Sequence, residues 1–467
     1  MSLRAHFKDA MRITFLGHQG WHIENQGRSF LLDPILEAIG NGASLMPIWP
    51  PRRLDFKRFE PLDAVIISHE HADHFSLPTL AALPRRCRIY VSDLASFAMT
   101  AAIAHLGFQV ERFSALHSFA INGVRVTALP GLYNTLEPDT YALLMQDASG
   151  ASFLTAIDTV AHPDIFAWLD GNCPRRTLDN LTNNFVEPRQ PLLDDGFAHT
   201  RSRSVVAGNA IDFVQKFQPR RAVVSGQGWS FKGASAHLNH SFFSVDNGWL
   251  THTARELAPH VEWHEGTVGM RFTLHGEDCS VDQSSLVSVQ VAPSRQFDPA
   301  SVRTAEPFMP WSGVTELSPE RFRKVQRFIA EQFGRILGAY APKLMERLYY
   351  LKFQQVAGLA PTLAISLRNG GSRSVFELDY GHLMFREVHA DAAPPSAVGF
   401  EVWAADMELM VNAEEEVFLL YESAVRLWSH VPGLDTASLI ECFMWFTPRF
   451  RPDEFLSFYK TRIAALT

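Results

Sequence analysis

Six residues, from His69 to His74, constrain the fold of this chain more than any other segment. They form the pattern H-x-H-x-D-H directly after the apolar, β-branched run 64–67, which predicts a buried parallel strand. Three imidazoles and a carboxylate therefore fall at the carboxyl end of a strand, where open α/β folds place their chemistry. Borderline metal ions prefer neutral imidazole and carboxylate ligands. The run predicts a metal site at the edge of an α/β sheet.

The spacing divides this motif into two halves. Side chains two residues apart in an extended loop point the same way, so His69 and His71 can bind one metal ion. Asp73 and His74 fall on the next bend and can bind a second, whereas Glu70 is expected to point away. The chain has 19 histidines in 467 residues, so a chance concentration of ligand-type side chains here is a weaker explanation than a dinuclear site.

Three further segments carry a resemblance to a known superfamily. Residues 11–18 form a strand that ends in Gly-His, residues 30–34 a strand followed by Asp-Pro, and residues 153–159 a strand that ends near Asp158. Together with the motif, they resemble the metallo-β-lactamase superfamily, in the branch that holds lactone hydrolases. The resemblance implies an αββα sandwich. It also implies that Asp158 is a ligand, because the aspartate at this place bridges two metals in the family.

The resemblance assigns roles around the metals. It implies five metal ligands, which are His69, His71, Asp73, His74 and Asp158. Asp73 and His18 are the expected catalytic residues: Asp73 would orient a bridging hydroxide, and His18 would contact the ligands rather than the metals. Asp33 is expected to orient one of the ligand histidines.

Two histidines of the usual superfamily site are missing. The segment 131–135, after the strand 124–130, has no histidine, and neither has the segment 226–229, after the strand 222–225. Four residues could supply a replacement, although nothing in their spacing favours that role: His162, Glu187, His237 and His240. Without a replacement, each metal keeps about three protein ligands and open positions for water, substrate or oxygen.

A narrower resemblance appears when the segments are taken together. Residues 68–80, 153–159 and 214–229 are similar to the metal-motif domain of the CMP-N-acetylneuraminate hydroxylases, which also lack both histidines. Those enzymes carry in addition a Rieske iron–sulfur domain, which needs two cysteines and two histidines as ligands. The four cysteines here are separate, with no Cys-x-His or Cys-x-x-His pair. Electrons for a hydroxylation would therefore come from an external donor protein.

The chain is expected to form two domains. Short apolar strands alternating with helices predict a layered α/β catalytic domain over residues 1–280. A linker over 281–310 leads to a smaller α+β domain over 311–467, which vaguely resembles a sterol-carrier domain and could cover the substrate or mediate oligomerisation. Residues 369–372 predict a hairpin turn, and residues 412–415 match a capping box, which predicts the start of a helix.

The stretch 170–200 is expected to be irregular and to form either a wall beside the metals or a disordered insertion. Five arginines favour an anionic substrate, although a solvated surface explains them at least as well: Arg175, Arg176, Arg189, Arg201 and Arg203.

Composition excludes several classes of protein. A net charge of −8 and a pI of about 6.2 do not indicate the basic surface that nucleic-acid binding requires. No run approaches the roughly 20 apolar residues of a membrane span. Scattered cysteines indicate a reducing compartment, and we expect a cytoplasmic protein that acts on a small molecule and could form an oligomer.

Three activities remain open. The first is a dinuclear non-haem iron monooxygenase, or hydroxylase, acting on a small polar and possibly anionic substrate. The second is a zinc or manganese hydrolase of an ester, phosphodiester, lactone or amide. The third is a binding protein with a degenerate site. The missing histidines favour the oxygenase and the missing Rieske motif favours the hydrolase, while iron is the favoured metal.

Overall fold

The structure is a computed structural model. It describes residues 10–42, 45–59, 61–132, 140–183, 198–226, 228–232, 236, 239–240, 243, 245–290, 308–350, 358–389, 396–416, 425–429 and 437–466; the side chains of residues 198–202, 437, 438, 440, 441 and 444 are not described.

The first part of the chain alternates strands with helices, as the apolar runs predict. Its strands are β1 (Met11–Gly17), β2 (Gly20–Asn25), β3 (Arg28–Leu32), β4 (Ala38–Ile39), β5 (Met46–Pro47), β6 (Arg52–Leu54), β7 (Leu62–Ile67), β8 (Arg88–Ser92), β9 (Gln109–Phe113), β10 (Ser118–Ile121), β11 (Val124–Pro130), β12 (Tyr141–Gln146), β13 (Ser152–Thr155), β14 (Leu178–Thr182), β15 (Arg221–Ser225), β16 (Glu262–Glu265), β17 (Met270–His275), β18 (Asp278–Gln283) and β19 (Val287–Val289). Its helices are α1 (Leu77–Ala82), α2 (Phe97–His105), α3 (Asp164–Asn172), α4 (Ala198–Phe217) and α5 (Asn247–Leu257).

These strands form two large sheets. The eight-stranded sheet has the order β18-β17-β1-β2-β3-β7-β8-β9, and the seven-stranded sheet runs from β10 to β16 in chain order. Strands β3, β7, β8 and β9 are parallel to one another, and so are β13 to β16. Parallel strands present their carboxyl ends at one edge, so side chains that follow β3, β7 and β13 can meet there.

Three apolar cores give the domain four layers. One core lies between the two sheets and includes Phe15, Trp21 and Phe153. A second lies between the outer face of the first sheet and α1 and α2, and a third joins the outer face of the second sheet to α3, α4 and α5. The expected fold class, an αββα sandwich, is confirmed.

The remainder of the chain forms an α+β unit, as expected. Its elements are α6 (Pro319–Phe328), α7 (Gly334–Tyr340), α8 (Pro342–Tyr350), β20 (Ala360–Asn369), β21 (Ser372–Asp379), β22 (Met384–Val388), β23 (Ser396–Trp403), α9 (Ala404–Val411), β24 (Val425–Ser429) and α10 (Pro452–Leu466). The sheet has the order β22-β21-β20-β23-β24. Asn369 and Ser372 are the last and first paired residues of the β20–β21 hairpin, so the turn lies where the sequence predicts it.

Two segments beyond residue 280 pack against the sandwich: helix α10 and strand β19. Helix α10, from the end of the chain, packs Phe455 and Tyr459 into the core that covers the first sheet beside α1 and α2. In the expected linker, β18 continues to Gln283 and β19 pairs with β6. The expected domain boundaries stay a prediction. Helix α10 of the second unit nevertheless forms part of the helical layer that covers the first sheet. Within the described ranges given above, no helix is long and apolar enough to cross a membrane.

Two local expectations differ from the structure. The stretch 170–200 is not irregular throughout, because β14 lies within it and joins the second sheet between β13 and β15. The capping-box prediction is wrong: α9 ends at Val411 with Asn412 as its C-cap, and no helix begins at residues 412–415.

Candidate metal centre

Four strand ends bring polar side chains to one edge of the sandwich. His18 follows β1, Asp33 follows β3, the motif from His69 to His74 follows β7, and Asp158 follows β13. Three of the residues at these ends have left-handed backbones, with φ of 54° at His18, 42° at Asp33 and 54° at Ile157. Such strain is uncommon in residues other than glycine and concentrates at functional sites.

The donor atoms form two groups in which all atoms lie within 4.8 Å of one another. The first group is His18, Asp73 and His74, and the second is His69, His74 and Asp158. Nε2 of His18 lies 2.9 Å from Oδ2 of Asp73. Nε2 of His74 lies 3.0 Å from Oδ2 of Asp158 and 3.6 Å from Oδ2 of Asp73. His74 therefore stands between two carboxylates and belongs to both groups.

The chemistry of these atoms fits a metal ion. His69 and His74 are each only 1% exposed, and their Nε2 atoms have no hydrogen-bond partner. Oδ2 of Asp158 is 3.0 Å from the Nε2 of His74 but without hydrogen-bond geometry, and 3.7 Å from that of His69. A buried polar atom without a partner is costly, and divalent cations bound by these groups would supply the missing partners.

Behind the nitrogens, Asp33 and Ser68 hold the two rings. Oδ2 of Asp33 lies 2.8 Å from Nδ1 of His74, and its Oδ1 accepts a 2.8 Å hydrogen bond from the Ser68 amide. The Ser68 hydroxyl lies 2.7 Å from Asp33 and 2.9 Å from Nδ1 of His69. Contacts of this kind fix the orientation of a ligand imidazole, which is the role that the sequence assigns to Asp33.

The charges around the rings favour a cation. Burial would raise the pKa of the Asp73 carboxyl, but His74 and His18 hold it well below its usual range. Burial would lower the pKa of His74, yet Asp73 and Asp33 raise it well above its ordinary value. Burial and then His74 lower the pKa of His69. The carboxylates thus stabilise positive charge at the place where the unpartnered nitrogens converge.

His18 contacts a predicted ligand, as expected, because its Nε2 lies 2.9 Å from Oδ2 of Asp73. The same Nε2 is also one of the converging atoms of the first group, so a direct contact with a metal stays open. Gly228 donates its backbone N–H to Nδ1 of His18 over 3.2 Å, and a Cβ on Gly228 would collide with the His18 side chain. The glycine-rich turn after β15 lacks a histidine of its own and instead fixes the histidine of the turn after β1.

Other predicted residues lie outside the two groups. The half-buried His71 contacts His69, with 4.6 Å between ring centroids. His162 has a 40% exposed side chain, and its Nδ1 accepts from the Asp164 amide. His240 is exposed. Glu187 and His237 fall outside the described residues, as do Tyr133, Asn134 and Gln227.

Glu70 and His71 test the prediction that alternate side chains of the loop point toward the metal and away from it. The Glu70 carboxylate accepts a 3.1 Å hydrogen bond from the Ser96 amide, away from the donor atoms. We expect Glu70→Gln to keep the full metal content and His71→Ala to lose at least one metal ion per chain. Inductively coupled plasma mass spectrometry of the purified variants measures both. Equal metal content would place His71 outside the centre.

Comparison with known proteins finds a family model that matches part of the chain. Residues 28–226 match the family model of the beta-lactamase superfamily domain, a range that contains Asp33, the H-x-H-x-D-H motif and Asp158. This part of the chain is similar to the metallo-β-lactamase superfamily. The match is consistent with a metal-dependent enzyme, and it leaves open whether that enzyme is a hydroxylase or a hydrolase.

Several solved structures have a similar fold. CmlA, a diiron β-hydroxylase from Streptomyces venezuelae, is 18% identical over 57% of this chain and 54% of its own, with a TM-score of 0.39. This chain thus spans about half the length of that enzyme. An isothiocyanate hydrolase from Delia radicum gut bacteria is 15% identical over 57% of this chain and 100% of its own, with a TM-score of 0.41. A metallo hydrolase from Ignicoccus hospitalis is 12% identical over 59% of this chain and 99% of its own, with a TM-score of 0.36.

Proposed function

We propose that this protein is a dinuclear non-haem iron monooxygenase that hydroxylates a small polar substrate. One observation carries the proposal: each group of converging donor atoms consists of two imidazoles and one carboxylate. Two histidines and one carboxylate with open coordination positions are typical of non-haem iron oxygenases. The proposal keeps His69, His71, Asp73, His74 and Asp158 as ligands and adds His18 to them.

His74 belongs to both groups, so the metal ion that it binds determines how the other ligands are shared between the two ions. One imidazole nitrogen binds one metal ion, so Nε2 of His74 can serve only one of the two groups. If it serves the group with His18 and Asp73, then His69 and Asp158 remain for the other metal. His71, whose ring lies against His69, is the nearest further imidazole in the motif. Each ion would then be held by two imidazoles and one carboxylate, and Asp158 would be the carboxylate of the second ion.

The protein's own residues would orient the reaction. Asp33 and Ser68 hold the ligand rings in place, and Gly228 fixes His18. An apolar cluster adjoins the motif through Ala72 and would exclude water from one side of the site; it comprises Ile35, Ile39, Met46, Ile48, Ala72, Trp229, Phe231 and Phe243. Two iron ions bound here would supply the binding and activation of dioxygen.

A hydrolase is the second candidate, because the same donor set also suits zinc. Catalytic zinc sites use three protein ligands, among them two histidines with one carboxylate, and keep a position open for water. Zinc or manganese would activate that water as the nucleophile toward an ester, phosphodiester, lactone or amide. Asp73 would then serve as the carboxylate that orients the nucleophile.

The metal and the need for oxygen distinguish the two reactions. Protein from iron-supplemented and zinc-supplemented cultures should be compared by metal analysis and by oxygen uptake. We expect about two irons per chain, and oxygen uptake only when a candidate substrate and an external reductant are both present. The reductant stands in for the electron-donor protein that a cytoplasmic monooxygenase of this kind would need.

The opposite results are equally clear. Zinc-loaded protein that turns over ester or phosphodiester probes without oxygen would establish the hydrolase instead. Its activity should then rise with pH near neutrality, as the metal-activated water ionises. Protein that binds no metal and shows neither reaction would leave a binding function for the degenerate site.

A further inference from the structure

Arg52, in β6, is a buried cation with no counter-ion among the described residues. The residue is only 4% exposed. One of its nitrogens, Nη2, donates to the carbonyl of Ile35 over 3.3 Å, while Nε and Nη1 have no hydrogen-bond partner. Burial lowers its pKa to about 9, and no carboxylate in the described part of the chain acts on it.

A buried charge of this kind needs an explanation. Removing a guanidinium from water is costly unless an anion and full hydrogen bonding compensate it. The other buried arginines have their partners: Arg176 forms an ion pair with Asp179, and Arg451 interacts with Glu454 and donates to the Met410 carbonyl. Arg52 therefore stands apart among the buried cations as a donor that an anion from outside the chain could satisfy.

The guanidinium lies against the segments that carry the metal centre. A Cβ added to Gly17 would lie 2.9 Å from both Cζ and Nη1 of Arg52, so the guanidinium rests on the backbone of Gly17. Gly17 immediately precedes His18. On its other side Arg52 contacts Ile35, which follows Asp33 by two residues. Arg52 is thus held between the ends of β1 and β3, the two strands that supply His18 and Asp33.

We propose that Arg52 binds an anionic group of the substrate, a carboxylate or a phosphate, beside the metal centre. Guanidinium groups recognise both oxyanions through charge-assisted hydrogen bonds. The inference deepens the proposed function by giving its substrate a charge, and it rests on the substrate being bound at this centre. It replaces Arg175 and Arg176 in that role, because these pair with Glu277 and Asp179.

Anion binding to the full-length, metal-loaded protein tests the proposal without turnover. Thermal unfolding is followed while acetate or inorganic phosphate is titrated at constant ionic strength. Arg52→Met is compared with Arg53→Met, since Arg53 is the exposed neighbour on the same strand and loses the same charge. We expect a saturable rise in Tm for the wild type and Arg53→Met. In Arg52→Met, the apparent Kd should weaken about 10- to 100-fold.

The same experiment distinguishes a carboxylate from a phosphate, and it also shows which results would contradict the proposal. A response to acetate alone identifies a carboxylate, and a response to phosphate alone identifies a phosphate; either supports the proposal. Without anions, Arg52→Met should be at least as stable as the wild type, because it loses an uncompensated buried charge. A large drop in its Tm would make Arg52 a structural residue and overturn the proposal. Equal anion binding by all three proteins, or none by the wild type, would overturn it as well. Failure of the iron and oxygen tests would leave these results unaffected.

Discussion

His74→Ala is expected to remove the bound metals and to abolish turnover. Nε2 of this residue belongs to both groups of donor atoms, and its Nδ1 contacts Asp33. Its loss should exceed the roughly 10- to 100-fold fall in metal affinity that follows loss of a residue behind the ligands. Metal content per chain after gel filtration, together with a competition titration against a chelator, measures the effect.

His162→Ala is the matched control for this prediction. The same imidazole is deleted from a 40% exposed position where it contacts Asp164, so metal content and activity should stay at the wild-type level. Circular dichroism should be the same for both variants. His74→Ala protein that keeps two metals per chain would contradict the proposed ligand set.

Sequence alone predicts four of the converging residues, which are His69, Asp73, His74 and Asp158. The H-x-H-x-D-H motif and Asp158 each follow a recognisable apolar strand, and parallel strands bring such ends together. The direct role proposed for His18 depends on geometry that no spacing reveals: a left-handed backbone at its own position and the close approach of Gly228. The signal available was the Gly-His pair at the end of β1, which by itself does not say where the ring points.

The arginines also show that sequence does not predict which side chains are buried or paired. Arg175 and Arg176 attract attention in the sequence because they lie in a crowded stretch, but the fold pairs them with Glu277 and Asp179. Arg52 is followed by Arg53 and then by an apolar residue, and nothing in that pattern indicates which arginine is buried. Burial and pairing are set by contacts distant in sequence, so the unpaired cation is found only in the folded chain.

The wrong helix start at residues 412–415 has a related cause. A polar residue followed three positions later by a glutamate is a local pattern of an N-terminus. Here Asn412 closes α9, Glu415 lies against Gly42, and the next residue, Glu416, makes long-range hydrogen bonds. Glu416 accepts hydrogen bonds from Asn41, which follows β4, and from Tyr459 of α10. Tertiary contacts thus override the local signal.

The contacts of Glu416 predict a stability that falls as pH rises. The carboxylate is 5% exposed, and burial followed by the neighbouring Glu415 raises the pKa of Glu416 to about 7. The unfolded chain has the ordinary value near 4.5, so the folded state binds the proton more tightly. Its contribution to stability is fully present below about pH 4.5 and is lost as pH rises through 7. A shift of this size corresponds to about 3 kcal/mol.

Glu416→Gln should remove most of that pH dependence, because the amide has the shape of the protonated acid and does not ionise. Urea unfolding at pH 5 and pH 8 gives the change in the free energy of unfolding for each protein, and this change is the readout. Because this readout is a difference between two pH values, it is unaffected by any pH-independent loss of stability from replacing the Glu416 oxygen that accepts from Asn41. Glu414→Gln, at the exposed neighbouring position, should keep the wild-type change. If Glu416→Gln lost as much stability between the two pH values as the wild type, Glu416 would be ionised throughout, and its contacts with Asn41 and Tyr459 would be those of a carboxylate.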